Sequence, residues 1–341
     1  MVETRTKQAA DLMEQFAERT GLTERNADRR YLWTDAFAVC NFIALRRATK
    51  VARWGALASK LVERVHQVLG PHHDVEHPTA AGLRIGKKLP ERRPNEPFDE
   101  RLEWDRDGQY FHYLTKWIHA LGQLARDTNQ PKLSRWACEL GETAHRAFVY
   151  DAGGGKKRMY WKMSIDLKRP LVPSMGQHDP LDGYVTYLAT CSDLIVAIAE
   201  FAAMIEPRSL ATADPLGIGG LLVDAYRLQQ VIDHHGRGDR RMPDALLTAA
   251  LVGLRAFEQQ ELRAPAQHRL AFRELGLALG LAACESLHGV VCERYLPLRK
   301  DIEGFWLDPA NRANDTWREH EDINEVMLAT CLVPDGFLRE A

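Results

Sequence analysis

Between residues 51 and 69 the apolar set Trp54, Leu57, Ala58, Leu61, Val65 and Val68 recurs with the 3.6-residue period of a helix, and Lys60, Glu63 and Arg64 lie between them. The same period runs through Leu133, Trp136, Ala137, Leu140, Ala144, Ala147 and Phe148 in 131–149, and through Leu246, Ala249, Gly253 and Phe257 in 242–262. Such helices have one wet face and one dry face. Residues 32–45, 275–284 and 326–333 are instead apolar nearly all round. A helix without a polar face has to be covered on every side.

Wet-faced and buried helices alternate along the chain. The inner set is expected at about 31–47, 109–126, 181–205, 215–232, 269–286 and 320–333, with amphipathic partners at 3–20, 50–69, 131–149, 242–262 and 287–303. The partner between the third and fourth inner helices is missing or fused into 181–205. Two concentric layers of alternating helices make an all-α (α/α)6 toroid, and no regular period supports an open solenoid. The irregular stretches 70–108 and 150–180 carry Trp104, Met159, Tyr160, Trp161 and Met163, too much apolar surface for disorder. They are expected as ordered rim loops. Residues 148–150 and 158–163 flank a glycine-rich turn and predict a small β-hairpin. No linker composition appears, so residues 1–341 are expected to form a single domain.

Composition narrows the class without naming a chemistry. Apolar residues make up 45% of the 341 and charged residues 27%, enough for a real core. Lys plus Arg total 45 and Asp plus Glu 47, a balance that argues against a nucleic-acid partner. No apolar run is long enough to span a bilayer and no secretory h-region opens the chain, so a cytoplasmic location is expected. The six cysteines are isolated in apolar stretches and are expected as free buried thiols.

Candidate chemistry gathers where inner helices begin. The clusters are Trp33 and Asp35; Glu103, Trp104, Asp105, Asp107, Gln109, Tyr110 and His112; Gln177, His178, Asp179 and Asp182; and Glu319, His320, Glu321, Asp322 and Glu325. In a toroid of hairpins the inner helices all point the same way, so these starts would converge on one rim. Carboxylates, imidazoles and indoles there suit a saccharide-like small-molecule substrate. Glu103 or Asp107 with Glu321 or Asp322 would supply paired acids for glycoside hydrolysis. His178 and His320, or His112, would instead move a proton as an epimerase or isomerase requires. A third reading is a non-catalytic binding protein. Trp161, Lys162 and Arg84 join the substrate-binding set, Arg84 or Lys87 as a clamp for an anionic group. Asp before Pro also reads simply as a helix cap, which fits Asp179 and Asp214, with Asp182 as a capping-box acid. His72, His73 and His77 have metal-like spacing in a proline-bounded loop, but no further ligand frame accompanies them, and neither metal nor cofactor is called for.

The segments from Arg30 to Asp35, from Glu103 to Phe111 and from Trp317 to Glu325 precede apolar helices with Trp and acids. In this the chain resembles the six-hairpin glycosidase superfamily and the related sugar 2-epimerases. The resemblance implies the (α/α)6 toroid and carbohydrate chemistry at its rim. It favours a glycosidase-like enzyme, with epimerisation or isomerisation as the alternative.

Overall fold

The computed structural model describes residues 2–23, 29–71, 74–257, 261–287 and 290–340. The longer helices up to residue 148 are α1 (Val2–Arg19), α2 (Leu32–Thr49), α3 (Ala52–Leu69), the short α4 (Glu100–Asp105), α5 (Phe111–Thr128) and α6 (Pro131–Phe148). The strands are β1 (Gln109–Tyr110), β2 (Val149–Asp151), β3 (Lys157–Met159), β4 (Lys162–Met163) and β5 (Pro170–Val172). Then follow α7 (Asp179–Thr190), α8 (Ile195–Met204), α9 (Pro215–His235), α10 (Met242–Ala256), α11 (Ala271–Ser286) and α12 (Leu296–Leu307). The chain ends with α13 (Pro309–Arg312), α14 (Asp315–Glu319), α15 (Glu321–Leu332) and α16 (Asp335–Leu338). No described helix is long and apolar enough to cross a membrane.

Two compact units make up the chain, one of residues 1–17, 40–54 and 206–341, the other of residues 18–39 and 55–205. In the first unit α9 packs on α11. Their axes approach closely because glycines meet: a Cβ on Gly219 would stand 2.1 Å from the Gly276 carbonyl oxygen, and one on Gly280 would stand 2.6 Å from the Gly219 Cα. From Gly276 to Cys284 every residue of α11 is buried, as the all-round apolar pattern requires. Its polar entry is closed internally, since Glu274 accepts from Arg269 at 2.6 and 2.8 Å and from the Trp306 indole at 2.8 Å.

In the second unit α5 packs on both α6 and α7, and α7 on α8. Phe111, Phe148 and Phe201 form one buried aromatic cluster among them. Gly183 gives them room, because a Cβ there would meet Phe201 and Phe111 at about 3.0–3.1 Å. The expected inner helix over 181–205 is two helices: α7 stops at Thr190, and α8 restarts at Ile195. The two read as one from sequence because the turn is only Cys191-Ser-Asp-Leu194, a polar break of two residues inside a long apolar stretch.

The hairpin forms as the glycine-rich turn predicts, with Val149 opposite Met159 and Asp151 opposite Lys157. Past it the chain adds β4, which pairs with both β1 and β5. This second small sheet ties the loop over 150–180 to the start of α5. Cys284 is disulfide-bonded, which corrects the expectation of six free thiols. Pairing depends on tertiary placement, which isolated spacing does not report.

Candidate functional site

The site described first lies within the second unit. Two helix starts face each other. On α5, His112, Thr115 and Lys116 share one face at spacings of three and four residues. On α7, Pro180 lacks an N–H and fits the first turn, and Asp179 and Asp182 stand one turn apart. Lys116 Nζ donates to Asp182 Oδ1 at 2.6 Å and the Thr115 hydroxyl donates to Asp182 Oδ2 at 2.6 Å. Asp182 is thus a carboxylate held by the neighbouring helix.

Asp179 differs from it. Its side chain is only 7% exposed and its Oδ1 lies 3.7 Å from His112 Nδ1. Its Oδ2 is buried with no hydrogen-bond partner, and so is His112 Nδ1. Asp179 caps nothing, because His178 takes the cap position. Burial, followed by the neighbouring Asp182 charge, raises the Asp179 carboxyl to about 7. Burial lowers the His112 imidazole to about 4, with Lys116 pushing the same way and Asp182 opposing. Gly176 makes the approach possible, since a Cβ there would fall 2.6 Å from Asp179 Oδ2.

Aromatic rings continue from this pair. Tyr110 stacks on His112 with centroids 5.3 Å apart, Trp161 lies 6.0 Å from Tyr110, and Trp104 meets Trp161 edge-on at 4.7 Å. Behind them the Tyr31 and Tyr113 hydroxyls share a 2.6 Å hydrogen bond, and burial raises both phenols. A cavity of about 350 Å³ opens beside this wall, lined by Phe98, Glu100, Glu103, Trp104, Tyr110, Trp161, Val172, Pro173 and Ser174.

Several residues singled out from sequence stand here in other roles. Glu103 is buried and accepts from Arg92 Nε at 2.9 Å and Lys162 Nζ at 3.2 Å. Lys162 is fully buried and also donates to the Glu103 and Arg106 carbonyls, so it braces the loop rather than facing a ligand. Asp107 is held by Arg84 at 2.6 Å and by the Gly86 N–H at 3.0 Å. Arg84 is therefore engaged as a brace and not a free anion clamp. Asp35 accepts from Arg30 and the Tyr31 N–H, fixing the entry to α2, and Trp33 is buried 4.5 Å from Phe37. Gln177 is exposed just before α7, and His178 contributes its backbone carbonyl to the Asp182 N–H.

The remaining acids and histidines fall elsewhere. His320 and Glu321 belong to the first unit, at the start of α15, where His320 meets Phe272 edge-on at 5.7 Å. His72 and His73 lie outside the described residues, and His77 is paired with Glu139. Among the described residues no group of three or more His, Cys, Asp or Glu side chains is disposed to hold a metal. Lys116, Thr115 and the Tyr31–Tyr113 pair were missed from sequence. The signal was the shared face of residues 112, 115 and 116.

A GH76 α-mannanase from Bacteroides thetaiotaomicron is similar over 98% of this chain and 96% of that one, with a TM-score of 0.63 at 8% identity. A sugar epimerase from a ruminal bacterium is similar over 89% and 85%, with a TM-score of 0.58 at 11% identity. The fold is the six-hairpin (α/α)6 toroid. The cellobiose 2-epimerase from Spirochaeta thermophila, at TM-score 0.54 and 12% identity, shares it over 90% of this chain and 86% of its own. No family model and no curated protein sequence matches. At such identities the toroid alone is shared, and one toroid carries several chemistries.

Proposed function

We propose that this toroid is a carbohydrate-active enzyme of the glycoside hydrolase type, with Asp179 as its general acid. One observation carries the reading: a buried carboxyl raised to about 7 with an unpartnered oxygen, beside an ion-paired second carboxylate. An acid that keeps its proton near neutral pH can pass it to a departing glycosidic oxygen. Asp182, held by Lys116 and Thr115, keeps negative charge beside the sugar carbon as it becomes cationic, and so stabilises the oxocarbenium-like transition state. The wall of Tyr110, Trp161 and Trp104 offers faces on which rings can stack. The α-mannanase and epimerase named above are saccharide enzymes on the same fold, which supports the class.

The test is release of reducing sugar from a panel of glycosides and oligosaccharides. Asp179→Asn is expected to lower kcat/KM by about 10²–10⁴-fold without lowering the melting temperature. Retained turnover in that variant would remove the proposal.

A second reading has its own support. His112 and Asp179 are neighbours shifted in opposite directions, so both are neutral just below pH 7 and suited to relay a proton. That arrangement fits sugar epimerisation or isomerisation. Turnover in deuterated water separates the two: deuterium appearing at sugar C2 marks isomerisation, and unlabelled carbon with cleaved glycoside marks hydrolysis.

A further inference from the structure

The cavity beside the acid pair has an unusual balance of groups. Its walls are the rings of Phe98, Trp104, Tyr110 and Trp161 with Val172 and Pro173. Its buried charge is already spent, because Glu103 is held by Arg92 and Lys162. Glu100 and Ser174 are exposed residues at the solvent edge. Trp161 Nε1 has no acceptor, but it is covered from solvent and offers the cavity no donor. Phe98 and Trp104 remain 56% and 46% exposed, a large apolar surface to leave in water.

A pyranose placed here would stack, but most of its hydroxyls would exchange water for hydrocarbon and lose hydrogen bonds. A flat apolar ring has no such hydrogen bonds to lose. Its faces have four aromatic side chains to meet. Space is sufficient: an apolar cavity of roughly 150 Å³ accepts a benzene ring, and this one measures about 350 Å³. The wall of the cavity adjoins the acid pair, with Tyr110 stacked on His112 at 5.3 Å between centroids and the Trp161 and His112 rings 6.4 Å apart.

We infer that this cavity is a subsite for an aromatic ring, the aglycone of an aryl glycoside, and not for a second sugar. The inference rests on the proposed hydrolase reading, since it takes the sugar to lie at Asp179 and the leaving group in the cavity. In the reaction the bond from the sugar carbon to the aryl oxygen breaks with its electron pair on oxygen. That oxygen receives the Asp179 proton, and water supplies hydroxide to the sugar carbon and a proton that restores Asp179.

Phenol alone is the probe, with binding followed by ligand-observed NMR on the full chain. Wild type is expected to bind phenol, with D-glucose and D-mannose unable to displace it. Trp104→Ala and Phe98→Ala, at exposed positions, should each raise the Kd about fivefold, the size of one aromatic contact. Asp179→Asn should leave the Kd unchanged. Absence of phenol binding, displacement by either sugar, or a Kd untouched by both ring deletions would overturn the subsite. If Asp179→Asn keeps full turnover while phenol binding follows these expectations, the hydrolase reading fails and ring binding stands.

Discussion

His112 Nδ1 and Asp179 Oδ1 lie 3.7 Å apart across the facing starts of α5 and α7, and burial shifts the two groups in opposite directions. Each therefore favours its neutral form in the folded chain. The consequences for stability have opposite sign and can be separated by pH.

For Asp179 the folded value, about 7, lies above the unfolded one of 3.8. The native state then binds the proton more tightly, so its contribution is present at low pH and is lost as pH rises through the interval from 3.8 to about 7. Asp179→Asn removes that loss. The variant is expected to be more stable than wild type at pH 8, by roughly 2–4 kcal/mol, and not at pH 4. Urea unfolding at the two pH values checks this.

His66 and His112 act the other way. Burial lowers both from 6.5 to about 4, and His66 Nε2 accepts the Trp117 indole N–H at 3.1 Å, a bond its charged form cannot accept. Here the unfolded chain binds protons more tightly, so stability falls as pH drops from 6.5 toward 4. Replacing His66 with Gln should flatten that acid limb in thermal unfolding scans while lowering stability at pH 8.

Glu103 heads a network in which one carboxylate holds two cations, Arg92 and the fully buried Lys162. Removing it leaves Lys162 charged and unpaired inside the protein. Glu103→Ala is expected to cost about 3–5 kcal/mol in urea unfolding, and Glu103→Ala combined with Lys162→Met should recover part of that loss. A catalytic acid without a bracing role would show no such recovery.

The alternation of wet and dry helices was enough to read the toroid, because burial on all sides leaves a direct mark on composition: α11 and α15 are apolar all round where the chain covers them. The site was legible only in part. His112, Trp104 and Tyr110 were identifiable as candidates because Trp, Tyr and His stand out near helix starts, and Trp161 because its loop carries too much apolar surface for disorder. Glu103 and Asp107 looked like the catalytic acids, but their cations come from Arg92, Lys162 and Arg84, distant in sequence and joined to them only by the fold. Asp179 looked like a cap because Asp-Pro opens helices; Asp214, which accepts from the Gly217 N–H, is a cap by the same pattern. Sequence alone cannot separate the two, since the difference is whether a neighbouring helix covers the carboxyl.

Adjacent glycines on α9 give a sharp packing test. A Cβ on Gly219 would collide with the Gly276 carbonyl at 2.1 Å, whereas one on Gly220 meets nothing within 4 Å. Gly219→Ala should destabilise by at least about 2 kcal/mol. Gly220→Ala, in the same helix, should stabilise by about 0.5–1 kcal/mol through the unfolded chain. Melting temperatures of the two variants should move in opposite directions.

The most direct test of the account needs no substrate. Carbon-13 NMR of the Asp179 carboxyl, assigned by its disappearance in Asp179→Asn, gives its titration midpoint in the folded protein. A midpoint near 7 is the result expected of a buried acid that still holds its proton when the enzyme works. A midpoint near the ordinary aspartate value of 3.8 would make Asp179 a carboxylate at neutral pH and contradict its role as proton donor.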